Sequence, residues 1–129
     1  MTTWTVPATV LRVVDGDTLE VLLDLGWHIT LKSKLRLVGV NCPELEKPLT
    51  IPPGPGRLAQ MFTDNSLYDP TGYDDASGSS QGAYFPITVV SHSLDKYGRI
   101  LGSVHWADRK KVLHDLSTDL LAAGHAVPM

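Results

Sequence analysis

The stretch that decides the fold is residues 36–44, which read Arg36-Leu37-Val38-Gly39-Val40-Asn41-Cys42-Pro43-Glu44. Leu35 and Leu37 alternate with polar neighbours, which is the pattern of a strand with one buried face. Pro43 ends this pattern, because proline donates no backbone hydrogen bond and keeps the residue before it out of the helical region. A strand that ends in such a kink fixes the directions of its last side chains. They include a guanidinium, an amide and a carboxylate, which together can bind a metal ion and a phosphate.

The pattern of apolar and β-branched residues predicts five strands along the chain. Apolar and β-branched runs predict strands at 9–14, 18–23, 28–40, 86–92 and 100–106. The Asp-Gly pair at Asp15-Gly16-Asp17 predicts a tight hairpin between the first two. The third strand, with Ile29, Leu31, Leu35 and Leu37 pointing inward, would reach about 43 Å if it were straight. It must therefore bend or bulge, as strands do when a sheet closes into a small barrel.

Two helices complete the prediction. A short helix is expected at 57–67, with Leu58, Met61 and Phe62 on its buried face. A second is expected at 111–123, with Leu113, Leu116, Leu120 and Leu121 on one face and Gly124 as its stop. Residues 45–56 are rich in proline and glycine and are expected to form an irregular loop. Residues 68–83 have little hydrophobic pattern and are expected to form a mobile surface loop.

These elements predict one domain over 1–129 of the α+β class, mainly β. The expected architecture is a five-stranded Greek-key barrel of the OB type, with one short helix and one C-terminal helix.

Composition narrows the function classes. The chain has 129 residues, 43% hydrophobic, and its single cysteine excludes an internal disulfide and a cysteine-rich zinc site. It has no apolar run long enough to span a bilayer and no signal-peptide pattern in 1–15, which predicts a cytoplasmic protein, with a processed secreted form left open. The net charge of −3 argues against a broad, charge-driven nucleic-acid binder. The five histidines lack metal-ligand spacing, and no feature pairs Cys42 with a histidine.

Three segments carry polar groups suited to chemistry. They are Val13-Val14-Asp15-Gly16-Asp17-Thr18, the 36–44 stretch, and Asp95-Lys96-Tyr97-Gly98-Arg99. In this order they resemble the signature segments of the staphylococcal-nuclease-like (thermonuclease) family. A weaker match runs from Leu116 to Ala126. The resemblance covers most of the chain except residues 45–85.

The resemblance implies a calcium-dependent nuclease that hydrolyses DNA, and RNA as a second substrate, with little sequence preference and leaves 3′-phosphates. It implies that Ca²⁺ is bound by Asp17, Asn41 and the backbone carbonyl of Cys42. Catalysis would fall to Arg36, Glu44 and Arg99, with Lys96 and Tyr97 contacting substrate phosphate. The family has an aspartate at the position of Asn41, so a neutral amide there implies weaker calcium binding.

Plainer interpretations of each motif remain open. Asp15-Gly16-Asp17 is often only a turn, Arg36 a solvated strand residue and Glu44 a cap for the next loop. Asp95-Lys96-Tyr97-Gly98-Arg99 would also serve as a polar hairpin loop. The rival function is a non-catalytic OB-type module that binds single-stranded nucleic acid or a protein partner. The sequence leaves the oligomeric state open.

Overall fold

A computed structural model describes residues 4–70 and 83–129 of the chain. In chain order the elements are β1 (Trp4–Asp15), β2 (Thr18–Gly26), β3 (Ile29–Leu37), β4 (Val40–Asn41), α1 (Pro55–Leu67), β5 (Tyr68–Asp69), β6 (Ala83–Tyr84), β7 (Ile87–Leu94), β8 (Ile100–Ala107), β9 (Leu113–Asp115), α2 (Leu116–Ala122) and β10 (Val127–Pro128). Within these residues, no helix is both long and apolar enough to cross a membrane.

The long strands close into a five-stranded barrel. β1 pairs antiparallel with β2 and β7, β2 pairs with β3, and β7 pairs with β8. A parallel pairing between β3 and β8 closes the ring, beginning at Leu35 opposite Ile100. The predicted fold class is confirmed: the protein is a mainly β, OB-type barrel with two helices.

The barrel core is built from inward side chains of all five strands. The most deeply buried of these side chains are Leu19, Val21, Leu35, Leu37, Val89 and Val104. The prediction that Ile29 and Leu31 also point into the core was wrong, because both are about half exposed. Since β3 meets β8 only from Leu35 onward, the first half of β3 extends past the closed ring with no facing strand to bury it.

The predicted third strand, 28–40, is two strands rather than one. β3 ends at Leu37, and Gly39 has a φ of +82°, a conformation that glycine adopts without steric cost. The chain resumes as β4, which leaves the barrel and pairs with β10 instead. The long predicted strand therefore breaks at this turn rather than bending within the barrel wall.

Helix α1 packs through a different face from the predicted one. Its buried residues are Gly56, Ala59, Thr63 and Leu67, whereas Leu58 and Met61 are exposed and Phe62 only partly buried. The reason is a close approach to the Asp15-Gly16-Asp17 turn: a Cβ on Gly16 would lie 2.8 Å from that of Ala59. Thr63 Oγ1 also donates a 2.7 Å hydrogen bond to the Gly16 carbonyl. Small side chains are needed where the two backbones meet.

Helix α2 is shorter than the predicted 111–123. Residues Leu113–Asp115 form β9 instead, and Leu113 is exposed. Asp115 starts the helix by accepting hydrogen bonds from the amides of Ser117 and Thr118, as an N-cap does. Leu116 and Leu120 are fully buried, as the pattern predicted, whereas Leu121, predicted on the same face, is exposed.

His114 fixes the junction between β9 and α2. Its ring stacks on Trp106 and lies 2.8 Å from an Asp108 oxygen and 2.9 Å from an Asp119 oxygen. The hydrogen bond with Asp108 raises the pKa of His114, and that with Asp119 adds to the effect. His114, one of the five histidines without metal-ligand spacing, thus has a structural role.

Both ends of the predicted 68–83 loop are paired, Tyr68 with Tyr84 and Asp69 with Ala83. The rest of that prediction, residues 71–82, lies outside the described residues.

We predict that Gly56→Ala weakens the fold. A Cβ there would lie 1.8 Å from the carbonyl oxygen of Glu44, so the start of α1 and the 42–44 segment must separate. Overpacking of this kind costs about 1–3 kcal/mol in unfolding free energy, measurable by urea denaturation. Asn65→Ala, at an exposed position of the same helix, is the control and should stay within about 0.5 kcal/mol of wild type. Equal stability of the wild type and Gly56→Ala would contradict this packing.

Candidate active site

A buried carboxylate, that of Asp17, lies at the centre of the site. Its side chain is only 8% exposed. One oxygen, Oδ2, accepts a 2.8 Å hydrogen bond from the Cys42 amide and lies 3.2 Å from Nη1 of Arg36. The other accepts a hydrogen bond from the Thr18 hydroxyl at 3.1 Å. The Asp17 carbonyl also accepts from the Leu37 amide, so this residue joins the β1–β2 turn to β3 and to the segment after β4.

The Arg36 guanidinium is largely occupied by the protein itself. Nη1 donates to the carbonyl oxygens of Leu37 and Val40, both at 2.9 Å. Nη2 donates to Oδ1 of Asn41 at 2.9 Å and contacts the Met129 sulfur at 3.6 Å. Only Nε has no partner among the described residues. Arg36 therefore holds the turn between β3 and β4 closed.

The closure of the barrel brings Arg36 next to the loop that ends in Arg99. Arg36 is the register partner of Leu101, two residues after Arg99, because β3 and β8 run parallel. The two arginines line one cleft of about 320 Å³. Lys96, Tyr97, Asp95 and Met129 also line it. Four of the residues predicted to act on substrate, Arg36, Lys96, Tyr97 and Arg99, are thus brought together.

Asp95 sets the shape of the loop between β7 and β8. Its Oδ1 accepts hydrogen bonds from the amides of Tyr97 and Arg99, and its Oδ2 accepts one from Nε of Arg99 at 2.6 Å. Burial alone would raise the pKa of Asp95, but the Arg99 and Tyr97 hydrogen bonds outweigh it and lower that pKa. With Nε held in this way, the two Nη groups of Arg99 make no hydrogen bond within residues 4–70 and 83–129.

Tyr97 lines this cleft and has two cations close to its ring. The Lys96 ammonium is 5.2 Å from the centre of the tyrosine ring and the Arg99 guanidinium 5.4 Å. The ring is largely exposed. This combination of an aromatic face and two positive charges suits a group that carries both a planar ring and a phosphate.

Glu44 lies apart from this cleft. Its side chain is exposed and lines a second, polar cleft of about 410 Å³ with Asp15, Leu45 and Lys47. Asp15 is in turn fixed by the Leu45 amide, which donates to its carboxylate at 3.2 Å. No hydrogen bond or ion pair in the described part of the chain joins Glu44 to either arginine. The structure therefore brings Glu44 close to the Asp15–Asp17 turn and leaves it in a different cleft from Arg99.

The predicted metal ligands fit calcium by type. Asp17 and Asn41 both direct an oxygen at the Arg36 guanidinium, so the two oxygens lie on the same side of the barrel. A carboxylate, an amide and a backbone carbonyl are hard oxygen donors of the kind that Ca²⁺ accepts. Across the described ranges, no three His, Cys, Asp or Glu side chains lie together as a metal site. The set offers one carboxylate, and Arg36 already contacts it.

The Cys42 thiol is unsuited to act as a nucleophile in this site. Burial raises its pKa to about 12, and the neighbouring Asp17 charge acts in the same direction. A thiol that stays protonated at neutral pH is a poor nucleophile. Only the backbone of Cys42 is available to the site.

Two residues of the site were missed from the sequence. Asp95 was assigned only to a loop, although its spacing of four from Arg99 could have suggested an ion pair. Met129 had no detectable signal. It reaches Arg36 only because β10 pairs with β4, and its amide donates to the Gly39 carbonyl at 3.0 Å.

No protein-family model and no curated protein matches this sequence. The resemblance to the thermonuclease family therefore remains a prediction that depends on the three segments. Their placement around Arg36 is the structural observation that bears on it.

We predict that Arg36 contributes to stability more than Arg99 does. Arg36→Lys removes donors to two carbonyls and an amide beside a buried carboxylate, which should cost about 2–4 kcal/mol of unfolding free energy. Arg99→Lys loses one partly exposed ion pair and should cost at most about 1 kcal/mol. Arg12→Lys, which keeps a charge beside Glu20 on the exposed barrel surface, is the control. Urea denaturation of the three variants measures the difference, and equal losses at positions 36 and 99 would contradict it.

Proposed function

We propose that this protein is a calcium-dependent nuclease that hydrolyses phosphodiester bonds of DNA or RNA with little sequence preference. The observation that supports this most is the cleft that Arg36 and Arg99 share with Lys96 and Tyr97. Two guanidinium groups and an ammonium beside one exposed aromatic ring match a nucleotide, which carries a charged phosphate and a stacking base. None of these four residues belongs to a helix that could enter a groove and read base edges, so we expect little sequence preference.

Arg99 is the residue best placed to bind the reacting phosphate. Asp95 anchors its Nε, and its two Nη groups remain available as a fork of donors. Phosphodiester hydrolysis increases negative charge on the phosphate oxygens in the transition state, and a pre-oriented guanidinium stabilises that charge. Arg36 can add only its Nε without breaking existing hydrogen bonds, so its share in the reaction is smaller than that of Arg99.

Glu44 is the proposed proton acceptor. Its exposed carboxylate takes a proton from water as the water oxygen forms a bond to phosphorus. The bond from phosphorus to the 5′ oxygen breaks, the leaving oxygen takes up a proton from solvent, and a 3′-phosphate and a 5′-hydroxyl result. Because Glu44 lines a different cleft from Arg99, this step requires the Glu44 carboxylate to reach the water that attacks the phosphate bound by Arg99, directly or through one further water. Calcium bound by Asp17, Asn41 and the Cys42 carbonyl would supply further positive charge to the phosphate.

A second candidate function is the non-catalytic binding module. Two observations favour it: most donors of Arg36 are used within the protein, and Glu44 lies outside the arginine cleft. The same cleft would then bind the backbone of single-stranded nucleic acid without cleaving it.

A cleavage assay separates the two candidates. Single-stranded DNA is incubated with the pure protein in millimolar calcium or in excess chelator, and binding is measured in parallel by fluorescence anisotropy. The nuclease predicts cleavage in calcium alone, and a loss of about 10²–10³ in rate for Arg99→Lys. Arg12→Lys, at a position that lines neither cleft, should cleave at the wild-type rate. Binding without any cleavage would establish the binding module, and neither binding nor cleavage would refute both.

Asn41→Asp tests the calcium site. The substitution keeps the side-chain length and adds a negative charge next to Asp17 and the bound ion. The calcium concentration for half-maximal cleavage should therefore fall by roughly tenfold. Isothermal calorimetry of calcium binding to the same variant gives a readout independent of cleavage. If neither midpoint moves, Asn41 is not a ligand.

A further inference from the structure

One end of the barrel is open and apolar. A cavity of about 190 Å³ lies there, lined by side chains that include Trp4, Leu25, Leu31, Leu94 and Ile100. None of the residues that line it carries a charge. We refer to this cavity and its rim as the barrel mouth. Trp4, Leu31 and Leu94 are between 49% and 66% exposed, so the mouth presents these apolar side chains to solvent.

A tryptophan projects beside the mouth. Trp27 is at the tip of the β2–β3 hairpin and is 93% exposed. It has a φ of +56°, and His28 after it has a φ of +61°. This left-handed conformation is uncommon for a bulky side chain and is usual for glycine or asparagine. The hairpin would fold more easily with a small residue there, and unfavourable backbone conformations of this kind persist mainly at sites of function.

We propose that two copies of this protein pair through their barrel mouths, with Trp27 of each copy inserted into the mouth of the other. Dry cavities of about 150 Å³ already bind a benzene ring. The mouth therefore has room for an aromatic side chain. The rim includes Leu25, two residues before Trp27, so the projecting and receiving surfaces are adjacent on each copy.

The two-fold arrangement follows from that adjacency. A surface with a projecting group beside a matching recess is self-complementary, and a two-fold axis satisfies both contacts at once. Each aromatic side chain carries about 150–250 Å² of surface. With Trp4, Trp27, Ile29, Leu31 and Leu94 all at least half exposed or close to it, the patch approaches the roughly 800 Å² per partner of a standard interface. An uncharged centre suits a second protein surface better than a nucleic acid, whose phosphates need basic partners.

This inference is independent of the proposed function. The barrel mouth and the cleft of Arg36 and Arg99 have no lining residue in common.

Sedimentation equilibrium over micromolar to submillimolar concentrations tests the proposal. The wild-type protein should reach twice its chain mass of 14.0 kDa. Trp27→Asn should raise the dimer dissociation constant by about 30-fold or more, the effect of losing an interface hot spot. The fold should be kept, because asparagine tolerates the left-handed conformation. Leu94→Glu, which places a carboxylate on the rim, should have a similar effect.

Ile51→Ser is the matched control. Ile51 is almost fully exposed, in the loop before α1, so its loss should leave the dissociation constant unchanged. Thermal melts of all variants by circular dichroism confirm folding. A wild-type protein that stays monomeric throughout would overturn the proposal. A dimer that resists both Trp27→Asn and Leu94→Glu, or that is lost equally in Ile51→Ser, would also overturn it.

Discussion

The structure depends on one buried carboxylate. Taking a charge out of water is costly unless hydrogen bonds and an opposite charge compensate it, and Asp17 has both. Its partners come from the end of β3 and from the segment after β4, so satisfying the charge also fixes where those segments lie. The Arg36 guanidinium is held by the same requirement and in turn closes the β3–β4 turn through two carbonyl oxygens. Compensation of the buried Asp17 charge thus positions two of the three candidate loops.

The third loop is positioned by the way the barrel closes. Antiparallel hairpins alone would give an open sheet, and the parallel pairing of β3 with β8 joins its two edges. Because strand ends in a parallel pair lie at defined offsets, the start of β8 comes to lie beside Arg36 rather than at the far end of the molecule. The arginine cleft is therefore a product of the topology, and Asp95 refines it by orienting one side chain.

Strand periodicity was enough to predict the barrel, because alternation of apolar and polar residues directly reflects a wall with one buried face. It was less reliable where burial depends on a distant partner. Leu31 has the right alternation but lies beyond the closed ring, and Leu58 is apolar but lies on the helix face turned to solvent. The buried face of α1 uses glycine, alanine and threonine, which hydrophobic patterns do not mark. The candidate site was predicted as a set of residues, whereas the separation of Glu44 from Arg99 depends on loop paths that the sequence does not encode locally.

The burial of Cys42 has a practical consequence. Its sulfur would lie 3.0 Å from a Cβ on Gly16, and its amide is bound to Asp17, so no reagent can reach it while these contacts hold. Modifying reagents attack the thiolate, and with a pKa of about 12 almost none is present in the closed state. Since the chain has a single cysteine, the rate at which it is labelled would report the transient openings around this one position, without any added probe. The labelling rate of Cys42 therefore measures how often the structure around the Asp17–Arg36 ion pair opens.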